Sequence, residues 1–258
     1  NRINMGPNII SEKKFNYIDS GTGRPIVLLH GLMGSLSNFK SCIETLPKQG
    51  FRVIMPILPI YDLPLLKTSA NQLSFFLEKF LNHMKLNDFF LLGNSLGGHI
   101  GLIYTKRCPD KINGLVLTGS SGLYENSLGG SFPKRGDYEY IKKKTQEVFF
   151  DPKHASKELV DEVFETINSR SKLIKILAMA KSAMRHNMKK DLGKIKVPTC
   201  LIWGKNDKIT PPNVAKEFNK LLPNSKLFWI EKCGHAPMME KSKKFNDIFF
   251  NWANNIKK

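Results

Sequence analysis

The sequence predicts an α/β protein with a mostly parallel central sheet, helices on both faces and one helical insertion. Three observations predict it. Short β-branched or Leu-rich runs alternate with longer amphipathic segments. Two of the runs, Ile26-Val27-Leu28-Leu29 and Phe89-Phe90-Leu91-Leu92, are apolar on both faces, as strands covered by helices on each side must be. Between Gly122 and Lys190 the alternation stops, and the stretch reads as helix alone.

Taken in order, strands are expected at Phe15–Ile18, Ile26–Leu29, Phe51–Met55, Phe89–Leu92, Leu115–Thr118, Thr199–Trp203 and Lys226–Ile230. Helices fit Leu36–Leu46, Ser69–Met84, Leu96–Arg107, Val214–Leu222 and Lys241–Ile256. Pro109 stops the third, and Pro211-Pro212 suits the first turn of the fourth, where a missing N–H costs nothing. The insertion opens Gly-rich (Gly122, Gly129, Gly130), carries helices over Asp137–Phe150, Ser156–Ser169 and Lys172–Met188, and returns through Asp191-Leu192-Gly193. Residues 1–121 and 191–258 are therefore expected to form one core domain. Residues 122–190 are expected to form a cap (lid) over the C-terminal edge of the sheet, where sites form in such folds.

Bulk properties narrow the function classes. A chain of 258 residues can bury about three-quarters of its unfolded surface, enough for a large core. No run approaches the ~20 uninterrupted apolar residues of a membrane span; the most apolar stretch, Val53 to Leu66, is broken by Pro56, Pro59, Asp62 and Pro64. The opening Asn1-Arg2-Ile3-Asn4-Met5 lacks the apolar core of a signal peptide. The net charge of +18 comes from 33 Lys and only 7 Arg spread along the chain. Nucleic-acid readers lean on Arg forks and cluster their charge on one element. The runs Lys142-Lys143-Lys144, Lys189-Lys190 and Lys241 with Lys243-Lys244 are read as solvated helix surface, with neither nucleic acid nor membrane as partner. Cys42, Cys108, Cys200 and Cys233 show no CxxC pair and no zinc-ligand spacing. They read as small buried hydrophobes of a reducing, cytoplasmic compartment. Cys233 stands two residues before His235, and packing is preferred there over a reactive thiol.

The motif that carries chemistry is Gly93-Asn94-Ser95-Leu96-Gly97-Gly98, directly after a strand and directly before a helix. This is G-x-S-x-G in the strand–turn–helix setting that gives it meaning. Such an elbow exposes the Ser95 hydroxyl above the sheet, and Gly93 and Gly97 leave room for so tight a turn. The Leu96 N–H at the helix start is then placed to donate to an oxyanion. Upstream, His30-Gly31-Leu32-Met33-Gly34 ends another strand, and its glycines let the loop approach Ser95 so that Leu32 N–H supplies a second donor. His30 is read as holding this loop rather than as a base. Downstream, Asp207 and His235 each follow a late strand, in the order Ser, Asp, His. Serine alone is a weak nucleophile; His235 would accept its proton, and Asp207 would fix the tautomer and stabilise the imidazolium.

On these residues the chain resembles the α/β-hydrolase superfamily, and within it the meta-cleavage-product (carbon–carbon bond) hydrolases and related small carboxylesterases. The G-N-S-x-G-G elbow, Val148-Phe149-Phe150-Asp151-Pro152, Trp203-Gly204-Lys205-Asn206-Asp207 and Cys233-Gly234-His235 carry the resemblance. It implies catalytic Ser95, Asp207 and His235, a cap over the site, and neither metal nor organic cofactor. Departures bear on substrate. A cap arginine that holds the dienoate carboxylate in carbon–carbon hydrolases falls near Val163, and the tryptophan after their histidine is Ala236, while Arg170 and Arg185 lie elsewhere in the insertion. Where relatives carry an Asp-x-x-Gly-x-Gly-x-Ser loop, this chain has Pro56-Ile57-Leu58-Pro59-Ile60-Tyr61-Asp62-Leu63-Pro64, which suggests an apolar acyl pocket beside the oxyanion hole. The leading expectation is a serine hydrolase acting on a small-molecule carboxylic ester of small to medium acyl length through an acyl-enzyme. A carbon–carbon bond hydrolase, a cofactor-free perhydrolase or haloperoxidase, and a ligand receptor on the same fold stay open, and nothing assigns an oligomeric state. An aspartate nucleophile is excluded by Ser95 at the elbow.

Overall fold

Alternate residues of a buried strand point to opposite faces, and the apolar runs use both. In the computed structural model, which describes residues 8–34, 36–125 and 134–256, Val27 and Leu29 pack on one side of the sheet and Ile26 and Leu28 on the other. The described residues form an eight-stranded sheet of β1 (Ile10–Glu12), β2 (Phe15–Ser20), β3 (Arg24–Leu29), β4 (Phe51–Pro56), β5 (Phe89–Asn94), β6 (Ile112–Thr118), β7 (Thr199–Gly204) and β8 (Ser225–Ile230). Their order is β1-β2-β4-β3-β5-β6-β7-β8, with β1, β2 and β4 paired antiparallel and the remaining neighbours parallel. β5 and β7 are buried along their whole length, as the doubly apolar runs require. Each expected strand is present within a residue or three of its bounds. β1, short and exposed, carries no apolar signal and was not expected.

The helices are α1 (Lys40–Thr45), α2 (Ala70–His83), α3 (Leu96–Arg107), α4 (Tyr138–Gln146), α5 (Lys157–Asn168), α6 (Arg170–Arg185), α7 (Pro212–Leu221), α8 (Pro237–Glu240) and α9 (Ser242–Asn254). Side chains cap three of them: Ser69 Oγ accepts from Gln72 N, Asp137 from Tyr140 N and Ser156 from Leu159 N. α2, α3 and α7 cover one face of the sheet; α1 and α9 cover the other, where Phe249 meets Phe90 edge to face at 5.7 Å. Each such side chain taken wholly out of water contributes about 2–3 kcal/mol of gross transfer free energy.

Three expectations are corrected. The helix expected over Leu36–Leu46 starts only at Lys40, because the chain turns at Ser37, whose N–H bonds to the Gly34 carbonyl and whose hydroxyl bonds to Asn94. Lys189-Lys190 is exposed but lies in a turn after α6, not in a helix. Cys108 is half-buried, whereas Cys42, Cys200 and Cys233 are buried. The readings at Gly129, Gly130 and Asn1 to Met5 fall outside the described residues.

The crossover that leaves β3 runs to β4 on one side, and the crossover that leaves neighbouring β5 runs to β6 on the other. A crevice opens at the carboxyl ends of strands where this happens. The loops after β3 and β5 both enter it.

Candidate active site

Ser95 joins β5 to α3 with φ 54° and ψ −120°, a left-handed-side conformation that L-residues adopt only under constraint. The constraint is steric and hydrogen-bonded. A Cβ on Gly93 would strike the Gly97 backbone, and one on Gly97 would strike the Leu29 carbonyl. Ser95 N–H donates to the Thr118 carbonyl at 3.3 Å, and the Ser95 carbonyl accepts from Gly98 N (3.0 Å) and Ser121 N (3.1 Å). The side chain stays half-buried while Asn94 and Leu96 beside it are buried. Leu96 is the first residue of α3, so its N–H has no partner within the helix.

Asn94 wires this elbow to its surroundings. Its Oδ1 accepts from Ser37 Oγ at 2.7 Å, and its Nδ2 donates to the carbonyls of Thr118 (2.9 Å) and His235 (3.2 Å). One buried amide thereby ties together the loop after β3, the end of β6 and the loop after β8.

The His30 ring accepts at Nε2 from Leu58 N (3.0 Å), which leaves its proton on Nδ1, 2.9 Å from the Gly31 carbonyl to which it donates. Burial holds the ring below the usual histidine range. The ring faces the groove beside the Ser95 cavity, along with Ile57, Leu58 and Ile60. The proline-stiffened loop therefore does not wall the Ser95 cavity as expected; it braces the loop that carries Leu32.

Asp207 is buried and accepts four hydrogen bonds. Oδ1 takes Ile209 N (2.9 Å) and Thr210 N (2.9 Å), and Oδ2 takes Thr210 Oγ1 (2.7 Å) and His235 Nδ1 (2.9 Å). Burial opposes a charge on His235, but the Asp207 carboxylate, its hydrogen bond and nearby Glu125 outweigh that and hold the imidazole above its usual range. His235 is held from three sides. Its N–H donates to the Val148 carbonyl at 2.8 Å, its carbonyl accepts from Asn94, and Gly119 (φ 52°) lies so close that a Cβ there would come 2.8 Å from Nδ1.

Ser95, Leu32, Leu96 and His235 line one cavity of about 110 Å³. Its walls are mostly apolar: Leu36 beside the β3 loop, Val148 and Ile209, and Ile176, Met179 and Ala183 from α6. Among the described residues no Lys or Arg lines it. Arg170 and Arg185 are exposed, and Val163 and Ala236 are buried in packing. Cys233 is buried with its thiol pushed up to about 12, as a packing residue would be.

Three neighbours escaped the sequence reading. Glu125 lines the cavity and accepts from Ser121 Oγ at 2.9 Å; burial raises its pKa above the carboxylate range. Glu240, only 6% exposed, accepts from Phe150 N (3.0 Å) and Gly234 N (2.8 Å) at Oε1 and from Asp151 N (2.7 Å) at Oε2. It thus pins the segment after α4 to the turn that carries His235. Thr210 supports Asp207. Only Thr210 left a signal, an Asp-x-x-Thr spacing that suits a side-chain-to-backbone turn.

A family model described as alpha/beta hydrolase fold matches residues 24–242. The chain is 25% identical to a 2-hydroxy-6-oxononadienedioate/2-hydroxy-6-oxononatrienedioate hydrolase of Cupriavidus pinatubonensis, covering 95% of this chain and 92% of that one. It is 26% identical to Lipase 1 of Psychrobacter immobilis, covering 90% and 78%. Among solved structures, MGS-MChE2, an alpha/beta hydrolase enzyme from the sediment metagenome of the Mar Chica lagoon in Morocco, is 46% identical with a TM-score of 0.79 over 96% of this chain and 98% of that one. Among the described residues no helix is long and apolar enough to cross a membrane.

Proposed function

This chain belongs to the α/β-hydrolase fold family, and we propose that it is a serine hydrolase of carboxylic esters with small to medium acyl groups. Ser95 Oγ attacks the ester carbonyl as His235 Nε2 takes its proton. Asp207, bonded to Nδ1, holds the ring in that tautomer and stabilises the imidazolium. The N–H groups of Leu32 and Leu96 receive the oxyanion, and each such donor is worth about 100- to 1,000-fold in rate. The alcohol leaves with the proton from His235, and water activated by the same ring then hydrolyses the acyl-Ser95 ester. Leu36, Met179 and their apolar neighbours suit the acyl chain, and the helices of residues 122–190 act as the cap over it.

The observation that carries the choice of ester is the charge of the cavity. A doubly anionic dienoate, of the kind named for the Cupriavidus relative, would enter a space lined by Glu125 and by no Lys or Arg among the described residues. Burying a carboxylate there without a partner costs several kcal/mol. An uncharged ester meets no such penalty. A receptor function would leave the four-bonded Asp207 and its link to His235 without a use.

p-Nitrophenyl butyrate assays of the parent and of Ser95→Ala test the proposal. The expected result is loss of at least ~10³-fold in kcat/KM. An unchanged rate in Ser95→Ala, or faster bleaching of a dienoate than hydrolysis of any ester, would overturn it.

A further inference from the structure

Glu125 is a buried titratable group that the ester chemistry above does not use, and it stands in the same cavity as Ser95 and His235. Its position is built rather than incidental. The turn after β6 is fastened to the elbow through Ser95 N to the Thr118 carbonyl, Asn94 Nδ2 to the same carbonyl, and Ser121 N to the Ser95 carbonyl. The turn is fastened on its far side by Met188 N, which donates to the Gly122 carbonyl at 2.7 Å. Ser121, inside this clamp, then donates its hydroxyl to Glu125 Oε2. A carboxylate is thus registered to the nucleophile through backbone bonds, in a cavity otherwise walled by Leu, Ile, Met, Val and Ala side chains, a few hydroxyls and the His235 ring.

An apolar wall would be cheaper in stability than a carboxylate, because an acid in such surroundings loses hydration and is compensated only by groups that donate to it. Within the cavity one hydroxyl, Ser121, donates to it. Beside that bond stands the His235 ring, and no Lys or Arg among the described residues lines the cavity, so a donor carried by a ligand would add to the compensation. We propose that Glu125 is a specificity-determining residue that selects esters bearing a hydroxyl or ammonium donor and rejects esters bearing a carboxylate. The inference rests on the ester-hydrolase reading and names its substrate class. Shared recognition chemistry covers both donors: O–H or N⁺–H to a carboxylate oxygen, the charged form making the stronger bond. Rejection follows from the same charge, since like charges in a water-poor site repel and, His235 aside, no cationic side chain among the described residues lines the cavity to receive a second carboxylate.

The test compares matched substrates within one enzyme, so that general effects on rate cancel. On the acyl side the set is ethyl hexanoate, ethyl 6-hydroxyhexanoate, ethyl 6-aminohexanoate and monoethyl adipate. On the alcohol side it is butyl butyrate, 2-hydroxyethyl butyrate, butyrylcholine and carboxymethyl butyrate, with butyrylcholine as a cation that cannot donate. Hydrolysis is followed by pH-stat for the parent, Glu125→Gln and Glu125→Lys, with fluorophosphonate labelling of Ser95 as a check on each fold. In the parent, on at least one side, the anionic ester is expected at least ~10-fold below its neutral match in kcat/KM, and the hydroxyl or ammonium ester above it. Glu125→Gln is expected to bring the anionic ratio to within ~3-fold of unity, and Glu125→Lys to invert the preference. A parent enzyme that hydrolyses monoethyl adipate and carboxymethyl butyrate as fast as their neutral matches overturns the inference, whether or not the variants fold. Labelled variants with parental ratios overturn it equally. Both outcomes differ from failure of the underlying reading, in which Ser95→Ala would retain activity on every ester.

Discussion

Replacing Glu240 with glutamine is expected to loosen the tie between the segment after α4 and the His235 turn, and the size of the effect can be worked from the bonds it makes. Both carboxylate oxygens accept backbone N–H groups: Oε1 from Phe150 and Gly234, Oε2 from Asp151. A glutamine has one acceptor oxygen. If that oxygen keeps the Phe150 and Gly234 bonds, its amide nitrogen faces the Asp151 N–H, donor against donor. One buried N–H is orphaned, at a cost of about 1–3 kcal/mol. Glu240→Ala orphans three donors and is expected to cost about 3–5 kcal/mol, less where water can enter the space. For a chain of this length, Glu240→Gln then lowers Tm by roughly 2–6 °C. Because Gly234 precedes His235, the variant is also expected to lose about tenfold in kcat on p-nitrophenyl butyrate with a smaller change in KM. Thermal unfolding followed by tryptophan fluorescence and steady-state kinetics read the two effects. A Glu240→Gln protein within about 1 °C of the parent Tm would refute the assignment of three unreplaceable acceptor bonds.

Asn94→Ala removes the amide that joins Ser37, Thr118 and His235; kcat/KM is expected to fall about 10- to 100-fold, while a parental rate would show that the elbow holds its place without it. His235 must be neutral to act as a base, and its pKa lies above the usual value of about 6.5, so the acidic limb of kcat/KM is expected above pH ~6.5. The same raised pKa stabilises the fold below pH ~6.5, and that increment is lost as pH rises through the folded value; a limb well below 6.5 would contradict it. His99, wholly buried on α3 with its ring edge-on to His186, has its pKa lowered to about 4, chiefly by burial. It stays neutral in the fold but charges in the unfolded chain, so stability is expected to fall by up to about 3 kcal/mol between pH ~6.5 and ~4. His99→Gln should flatten that slope in urea titrations, and an unaltered slope would assign it elsewhere.

Much of the architecture was legible because burial on both faces leaves a plain mark. Ile26–Leu29 and Phe89–Leu92 could be little else than central strands, and the glycines around Ser95 announce the turn they permit. β1 was not legible, since an exposed edge strand of Ile, Ser and Glu needs no apolar pattern. The start of α1 was misplaced because Ser37 turns toward Asn94, a contact made across 57 positions of chain. Site residues divide in the same way. Ser95, Asp207 and His235 follow strands and could be proposed from their positions. Glu125 and Glu240 lie in sequence surroundings like those of any surface glutamate, and only the folded chain shows what their carboxylates face. The Pro56–Pro64 loop misled for a related reason: its apolar character is real, but His30 draws it toward the neighbouring groove.

Helix α6 supplies Ile176, Met179 and Ala183 to the cavity wall, whereas Ser95, Asp207 and His235 stand on loops of the sheet. It is held by the burial of these three side chains and, at its edge, by two polar contacts: Ser182 Oγ accepts from Ala70 N at 3.0 Å, and Lys175 reaches the Leu63 carbonyl. One wall of the cavity and the candidate catalytic side chains are therefore written on different stretches of sequence. Changes along one face of a single helix would reshape the cavity without touching the strained serine or the bonds around Asp207. Over generations, such a division lets a lineage sample new substrates by small steps, each one leaving the loops of the sheet unchanged.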